Sequence, residues 1–375
     1  MNFGFSQEQD LLRHEVRKFL DEQCPLSEVR RVMATGQGHS PAHWKQLGEL
    51  GFLGLVIPEE FGGAGLGWED LVILLEETGR SLFPSPLIST TLAATALLDR
   101  GSEAQKKRWL PGIAGGATIA TVAVPEGDDP VSSDGIRLRA QADANGLVLS
   151  GEKHFVPDAE QAELFVVAVR NGDDETDLSL LLVEAAAAGV AVEPVPTLDR
   201  TKRMGYLRLD GVRVAGDAVL GEAGGAASAI ERHFDRGAAA VTAEIIGAIE
   251  GALDITVQFA KDRVQFGRPI GQYQGVKHPL AEIYVDLECS KSLLYYAAWA
   301  LDGSPEHVPG AVSAAKAFCS EAITRAGIDA IQLHGAVGYT EEYDIQLYLK
   351  RSKWARPAFG DEQHHYERVA SLEGY

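Results

Sequence analysis

The spacing of apolar residues in this 375-residue chain changes from helical to alternating near residue 118, and returns to helical after residue 224. In the first third, Leu12, Val16 and Leu20 recur at the intervals of an amphipathic helix. In the middle third, short apolar or alternating runs lie between turns rich in Asn, Asp and Gly, a pattern typical of strands. The predicted strands cover 119–124, 136–140, 147–150, 164–169, 178–183 and 207–214.

We therefore predict an α+β multidomain fold with three domains. A helical N-terminal domain covers 1–117, a middle antiparallel β-barrel or sandwich domain covers 118–224, and a C-terminal four-helix-bundle domain covers 225–375. Strands that follow one another without an intervening helix favour antiparallel sheets. Long amphipathic stretches in the last part of the chain are typical of a bundle; they cover about 226–263, 279–301 and 312–334.

Two helix starts in the first third have the spacing of a capping box. Ser6 precedes Gln9 by three residues, and Ser102 precedes Gln105 by three, so that each serine can accept from the helix and each glutamine can bond back. We expect Pro111-Gly112 to end the second of these helices.

Composition excludes several classes of protein. The chain has 34 Lys and Arg against 54 Asp and Glu, a net charge of −20, which argues against a nucleic-acid surface. Cys24, Cys289 and Cys319 are too far apart for a disulfide framework or a zinc site. The start of the chain does not resemble a signal peptide, and no run reaches the ~18 apolar residues of a membrane span. We expect a cytoplasmic protein.

One further pattern bears on metals. His364 and His365 are adjacent, and adjacent residues face different ways on a helix. We interpret them as a surface pair and predict no metal site.

Two motifs carry chemistry. The first is Arg263–Ile270 with Gln274 beyond it, at the end of the longest predicted helix, where an arginine can bind a diphosphate through two hydrogen bonds. The second is the glycine-containing turn within Gln332–Thr340, which can bring main-chain N–H groups to an anion. Each motif alone is also typical of an ordinary helix end. His334, inside the second motif, is either close to a cofactor or structural.

Together the motifs RVQFGRPIGQYQ and QLHGAVGYTEEY, with LGELGFLGLVIPEEFGGAGLG over 47–67, resemble the acyl-CoA dehydrogenase family of flavoproteins along essentially the whole chain. The resemblance implies FAD bound between the subunits of a tetramer. It places Arg263 at the diphosphate of a neighbouring chain's FAD, Phe266 and Gln274 near its adenosine end, and Gln332 and Gly335 at its diphosphate. The implied set of FAD contacts is Arg263, Gln265, Phe266, Gln274, Gln332, His334 and Gly335.

The resemblance also implies a reaction, the α,β-dehydrogenation of an acyl-CoA in β-oxidation. A carboxylate removes the α-proton, the β-hydride passes to FAD, and an electron-transfer protein reoxidises the flavin.

This sequence departs from the family at the catalytic positions. Phe359 and Gly237 stand at the two places where family members carry the base, and neither accepts a proton. In the middle domain, Ala123–Pro130 replaces a Thr-Glu-Pro stretch, and Phe155-Val156-Pro157 replaces the Trp-Ile-Thr stretch against the flavin ring. Phe155 can still stack, but Pro157 lacks both a hydroxyl and an N–H.

Three explanations stay open. In the first, the chain resembles the subunit type of heteromeric α2β2 actinobacterial enzymes of steroid side-chain degradation, and an acyl-CoA dehydrogenase paralogue supplies the base. In the second, a self-sufficient homotetramer uses a relocated base, with Asp235 and Asp361 (or Glu362) as weak candidates that are more simply solvated acidic residues. In the third, the chain is a flavin-free assembly subunit. The identity of the acyl group is not fixed by the sequence.

Overall fold

The structure, a computed structural model, describes residues 5–127, 131, 133–143, 146–172, 174 and 176–375. It divides into two compact units. The helical unit comprises Met1–Arg31, Trp68–Phe83 and Ala238–Tyr375, and the β unit comprises Val32–Gly67 and Pro84–Gly237. The three-domain division at residues 117 and 224 stays a prediction.

The helical unit is built from long helices. Two helices have residues in both units, α2 (Leu26–Thr35) and α7 (Ala227–Asp262). The remaining helices of the unit are α1 (Gln7–Gln23), α4 (Trp68–Arg80), α8 (Gln274–Gly303), α9 (Val308–His334), α10 (Ile345–Ala355) and α11 (Glu362–Glu373). Helix α9 packs against α8, α10 and α11, and is therefore the centre of the C-terminal bundle.

Helices α4 and α7 cross at unusually short range because glycines meet main-chain carbonyls. A Cβ on Gly79 would lie 2.2 Å from the carbonyl oxygen of Glu244, and one on Gly247 would lie 1.8 Å from that of Glu76. The Glu244 side chain also pairs with Arg351 of α10 at 3.3 Å, with both side chains almost completely buried. Small residues and one buried ion pair thus fix α7 in the bundle.

The β unit contains three whole helices, α3 (Pro41–Glu49), α5 (Leu87–Arg100) and α6 (Glu103–Ala114). Its strands form a three-stranded sheet in the order β1-β4-β5 and a four-stranded sheet in the order β2-β3-β7-β6. The strands are β1 (Ala120–Ala123), β2 (Ala140–Asp143), β3 (Gly146–Pro157), β4 (Leu164–Arg170), β5 (Leu178–Glu184), β6 (Val190–Val195) and β7 (Met204–Val214). Buried residues of both sheets share one core, so the arrangement is a sandwich.

The predicted fold class is confirmed, with local differences. Both capping boxes are present. Strand β1 pairs with β4 in parallel, which the antiparallel prediction did not include and which the long connection through β2 and β3 permits. Helix α6 continues through Pro111 to Ala114 and does not end at Pro111-Gly112. The predicted turns include Ala144, Asn145 and Asp173, which lie outside the described residues.

In the part of the chain that the structure describes, no helix is both long enough and apolar enough to cross a bilayer.

Candidate functional site

The first motif forms a short hairpin directly after α7. Strands β8 (Val264–Gln265) and β9 (Arg268–Pro269) pair antiparallel, and the Tyr273 hydroxyl donates to the Gln265 carbonyl at 3.1 Å. Phe266 at the tip has φ +52° and is 91% exposed. A phenylalanine in the left-handed region with an exposed ring is unusual. The hairpin therefore holds an apolar side chain ready for a contact outside the unit.

Arg263 lies at the base of this hairpin. Its main-chain N–H donates to the Phe259 carbonyl at 2.9 Å, and its carbonyl accepts from Ile270 at 2.8 Å, so its backbone is fixed. Its side chain is exposed, and within the described residues it forms no ion pair with a carboxylate. Arg268, by contrast, stacks on the Tyr273 ring at 4.1 Å. Of the two hairpin arginines, Arg263 is the one available to an anionic ligand. Gln274, the first residue of α8, is also exposed.

The second motif follows the end of α9. Gly335 has φ 65° and ψ −143°, a conformation open almost only to glycine. No atom lies within 4 Å of the place where a Cβ would stand, so glycine is required for its backbone conformation and not for space. Its N–H donates to the carbonyl of Gln332 and so caps the end of α9; the contact of this turn with an anion stays a prediction. A ligand can approach the main chain of this turn closely, and the Gln332 side chain beside it is exposed.

His334 joins the two motifs. Its ring lies 4.3 Å from that of Phe259, one helical turn before Arg263, and 5.1 Å from that of Tyr343. Nδ1 donates to the Ala330 carbonyl at 2.7 Å, because a carbonyl only accepts. Burial lowers the pKa of His334, so Nε2 carries a lone pair at neutral pH, and within the described structure this buried atom has no hydrogen-bond partner.

These observations test whether the residues fit an extended dinucleotide. An exposed arginine on a fixed backbone, a turn that only glycine can adopt and a buried imidazole nitrogen without a partner lie at one end of the bundle. A diphosphate suits the arginine and the glycine turn, whereas the Nε2 lone pair of His334 suits a ligand group that donates, such as a hydroxyl.

The two positions that the resemblance assigns to the catalytic base hold no proton acceptor. Phe359 lies in the turn between α10 and α11 with φ +56°, and Gly237 is buried inside α7. Asp361 is the N-cap of α11, and its Oδ1 accepts from the His364 N–H at 2.9 Å. Glu362 is 6% exposed and pairs with Arg356.

Two surface predictions are wrong. Asp235 is only 4% exposed, whereas we expected a solvated residue at a helix start; α7 begins at Ala227, which places Asp235 more than two turns inside the helix. His365 is 2% exposed, whereas His364 is on the surface, so the two histidines are not a surface pair.

The β unit holds the second stretch that the resemblance singles out. Phe155 has φ +50° at an irregularity between Lys153 and Val156 in the pairing of β3 with β7. Its ring is 41% exposed and lies edge-on to Tyr206 at 5.5 Å. The Pro157 carbonyl accepts from the Thr121 hydroxyl at 2.8 Å. The strand thus presents an aromatic surface, but its proline offers no donor.

The loop at residues 124–127 forms hydrogen bonds with groups inside the β unit, among them Lys153 of β3. The fully buried Lys153 donates to the Val124 carbonyl at 3.1 Å and to Glu126 at 2.5 Å, and burial lowers the pKa of Lys153 to about 8. Glu126 also accepts from the main-chain N–H groups of Arg137 and Leu138 at 3.0 Å. Asp128, Asp129 and Pro130 of the same stretch lie outside the described residues.

The 124–127 loop forms two further hydrogen bonds with His154. The main-chain N–H of Gly127 donates to His154 Nδ1 at 3.1 Å, and the main-chain N–H of His154 donates to the Pro125 carbonyl at 2.9 Å. Groups that the resemblance would direct to a flavin ring are therefore largely satisfied within the unit.

Family models agree with the two motifs. Those for the N-terminal, middle and C-terminal domains of acyl-CoA dehydrogenase match residues 6–117, 117–212 and 223–372. The chain belongs to the acyl-CoA dehydrogenase family. The family is FAD-dependent and oxidises CH–CH bonds, and this chain is assigned the same enzyme class and cofactor.

Relatives include heteromeric members. Acyl-CoA dehydrogenase IpdE2 of Mycolicibacterium smegmatis is 33% identical over 97% of this chain and 98% of its own. A variant of the Tcur3481–Tcur3483 steroid ACAD is 31% identical, with a TM-score of 0.86 and 98% of both chains covered. One chain of the ChsE4–ChsE5 complex of Mycobacterium tuberculosis is 26% identical, with a TM-score of 0.90, and the match covers 100% of this chain and 100% of the matched chain.

Proposed function

We propose that this acyl-CoA dehydrogenase is one subunit type of a hetero-oligomer. Its helical unit binds the diphosphate end of an FAD whose flavin ring lies in a paralogous partner subunit, and that partner supplies the catalytic base. The reaction is the α,β-dehydrogenation of an acyl-CoA thioester, with an electron-transfer protein as acceptor.

One observation carries the proposal, the difference between the two halves of the FAD site. At the diphosphate end, Arg263 is exposed and without a carboxylate partner among the described residues, and Gly335 keeps the conformation that the turn requires. At the ring end, the Gly127 N–H and the Val124 carbonyl of the 124–127 loop form hydrogen bonds inside the β unit, and Phe359 stands at the position that the resemblance assigns to the base. A self-sufficient enzyme needs both halves.

The roles of the chain's own residues follow from their chemistry. FAD, when bound, accepts the hydride from the substrate β-carbon. Arg263 neutralises the diphosphate, and its guanidinium binds two phosphate oxygens at once. Gln265, Phe266 and Gln274 line the adenosine end, and His334 with Gln332 holds the Gly335 turn against the diphosphate. None of these groups moves a proton of the substrate.

The surroundings of Arg263 support a protein partner. Large apolar side chains are exposed on the hairpin and on the Gly335 turn, where a monomer would leave them in water: Val264 (53%), Phe266 (91%), Val337 (38%) and Tyr339 (76%). Because the two motifs lie side by side, these residues border one surface. A second chain of the same fold covers this surface and excludes water from the diphosphate.

The relatives suggest the partner type and the substrate. The Tcur3481–Tcur3483 enzyme is described as a steroid ACAD, and ChsE4–ChsE5 is a complex of two proteins. We accordingly propose a bulky, steroid-like acyl chain for this enzyme. A homotetramer with Asp235 as the base is the second candidate, since its carboxylate is buried; a flavin-free assembly subunit is the third.

One pair of preparations tests the proposal. The chain is purified alone and after co-expression with an acyl-CoA dehydrogenase paralogue, and the visible spectrum and dye reduction with an acyl-CoA are recorded. We expect flavin colour and turnover only with the partner. A yellow, active lone chain would refute the heteromer, and Asp235→Asn would then test the relocated base. A colourless protein in both preparations would favour the assembly subunit.

A further inference from the structure

A lysine is completely buried in the middle of α9. Lys316 is 0% exposed, and its Nζ lies 2.8 Å from the carbonyls of both Arg356 and Gly360 and 3.0 Å from the Ser320 hydroxyl. Among the described residues, no carboxylate lies within ion-pair distance of it. Buried lysines are rare and costly unless they are hydrogen-bonded, so an amine that donates to two main-chain carbonyls in the core calls for a role.

The two carbonyls belong to the turn that joins α10 to α11. This turn includes Phe359, at the position where the family places its base. Phe359 has φ +56° and Gly360 has φ +99°, and left-handed conformations in succession need external support. The Arg356 carbonyl is at the C-cap of α10, where a donor is otherwise lacking.

A second buried side chain holds the same turn. His365 Nε2 donates to the Phe359 carbonyl at 2.9 Å, and its Nδ1 lies 3.3 Å from the Ser313 hydroxyl. Burial, with Lys316 nearby, lowers the pKa of His365 to about 3. The imidazole is therefore neutral, and its single proton is on Nε2 because the carbonyl can only accept.

We infer that Lys316 and His365 are a positioning pair that fixes residue 359 by donating hydrogen bonds to the carbonyls of Arg356, Phe359 and Gly360. These bonds involve only the main chain of the turn, and so they hold whichever side chain occupies position 359. This accounts for an ordered turn in a chain that has no base there. The inference does not depend on the hetero-oligomer.

The surroundings of Lys316 supply three acceptors for its three possible donors. Nζ donates to the carbonyls of Arg356 and Gly360 and to the Ser320 hydroxyl. Burial lowers the pKa of Lys316 to about 7. The groups that face it have opposing effects: Cys319 of α9 and Asp361 of the turn raise the pKa, and Arg356 lowers it. His365 is neutral.

Hydrogen–deuterium exchange of the assembled protein tests this inference. In Lys316→Met, we expect amides in a peptide covering 356–362 to exchange at least about tenfold faster, because two buried hydrogen bonds to the turn are lost and one alone corresponds to about this factor. The matched control is Lys353→Met, on the exposed surface of α10, which should leave this peptide unchanged. Unchanged exchange in Lys316→Met, or a uniform increase over the whole chain, would overturn a positioning role.

Two further measurements separate positioning from general packing. The melting temperature of the wild type should rise relative to that of Lys316→Met as the pH increases from about 7 to 10. The reason is that the amine of Lys316 loses its proton at a lower pH in the folded state than in the unfolded state. Parallel profiles would contradict the inference.

If Lys316→Met does not fold, His365→Leu should accelerate exchange of the same peptide and His365→Gln, which keeps a donor, should restore protection. Equal exchange in these two variants would also overturn it.

Discussion

The imidazole of His334 lies 4.3 Å from the ring of Phe259 at an interplanar angle of 31°, and this contact brings the end of α9 against the end of α7. Arg263 is one turn beyond Phe259, and Gly335 directly follows His334. Two motifs separated by about seventy residues thus become one surface. The proposed FAD contacts depend on this pair of rings.

Replacing Arg263 should weaken FAD binding. Arg263→Ala removes a guanidinium that binds phosphate through charge-assisted hydrogen bonds of about 1.5–3 kcal/mol, so the Kd for FAD in the co-purified complex should rise at least about tenfold. The matched control is Lys261→Ala, an exposed cation two residues earlier, which should leave the Kd unchanged. The Kd is measured from the quenching of flavin fluorescence when FAD is titrated with the apo-complex. An unaltered Kd in Arg263→Ala would remove this residue from the site.

The crossing of α4 and α7 should tolerate no side chain at Gly247. A Cβ there would lie 1.8 Å from the Glu76 carbonyl oxygen, so Gly247→Ala should destabilise the fold by about 3 kcal/mol or more, in the range of severe overpacking. In Gly310→Ala, on α9, the new methyl group meets no atom within 4 Å, and helix propensity predicts a gain of up to about 1 kcal/mol. Urea unfolding compares the two; equal midpoints would contradict the close crossing.

His365 should make the protein acid-sensitive. Its pKa is about 3 in the folded state, against about 6.5 when unfolded. Between these values the unfolded chain binds a proton that the folded chain does not, so the free energy of unfolding falls as the pH falls, by up to about 1.4 kcal/mol per pH unit.

The test compares the wild type with His365→Gln, which keeps the donor to the Phe359 carbonyl and cannot titrate. From pH 6.5 to 4.5 the wild type should lose more stability than the variant in urea unfolding. Identical pH profiles would show that the folded state tolerates a charged His365.

Local sequence signals predicted the helix starts and most strands. The Ser6–Gln9 and Ser102–Gln105 capping boxes involve residues three apart, so they can be recognised from the amino-acid sequence alone. Helix α5 was not predicted because residues 87–97 are buried on every side, which removes the amphipathic period on which such a prediction rests.

The site was predictable in its motifs but not in its contacts. Arg263 and Gly335 were identified by resemblance, whereas the Phe259–His334 contact and the bonds from Lys316 to the α10–α11 turn join residues far apart in sequence. Lys316 has one signal, a lone charge in the apolar run Ala311–Phe318. The burial of Asp235 has none, because it depends on the packing around α7.

The FAD content of the complex with its paralogue tests the division of labour most directly. If this chain contributes only the diphosphate half of a site, flavin absorbance and protein mass should give about one FAD for every two chains, one of each type. Arg263→Ala in this chain should lower the FAD content of the purified complex, while the matching substitution in the partner should leave it unchanged. One FAD per chain, bound equally by both subunit types, would contradict the account.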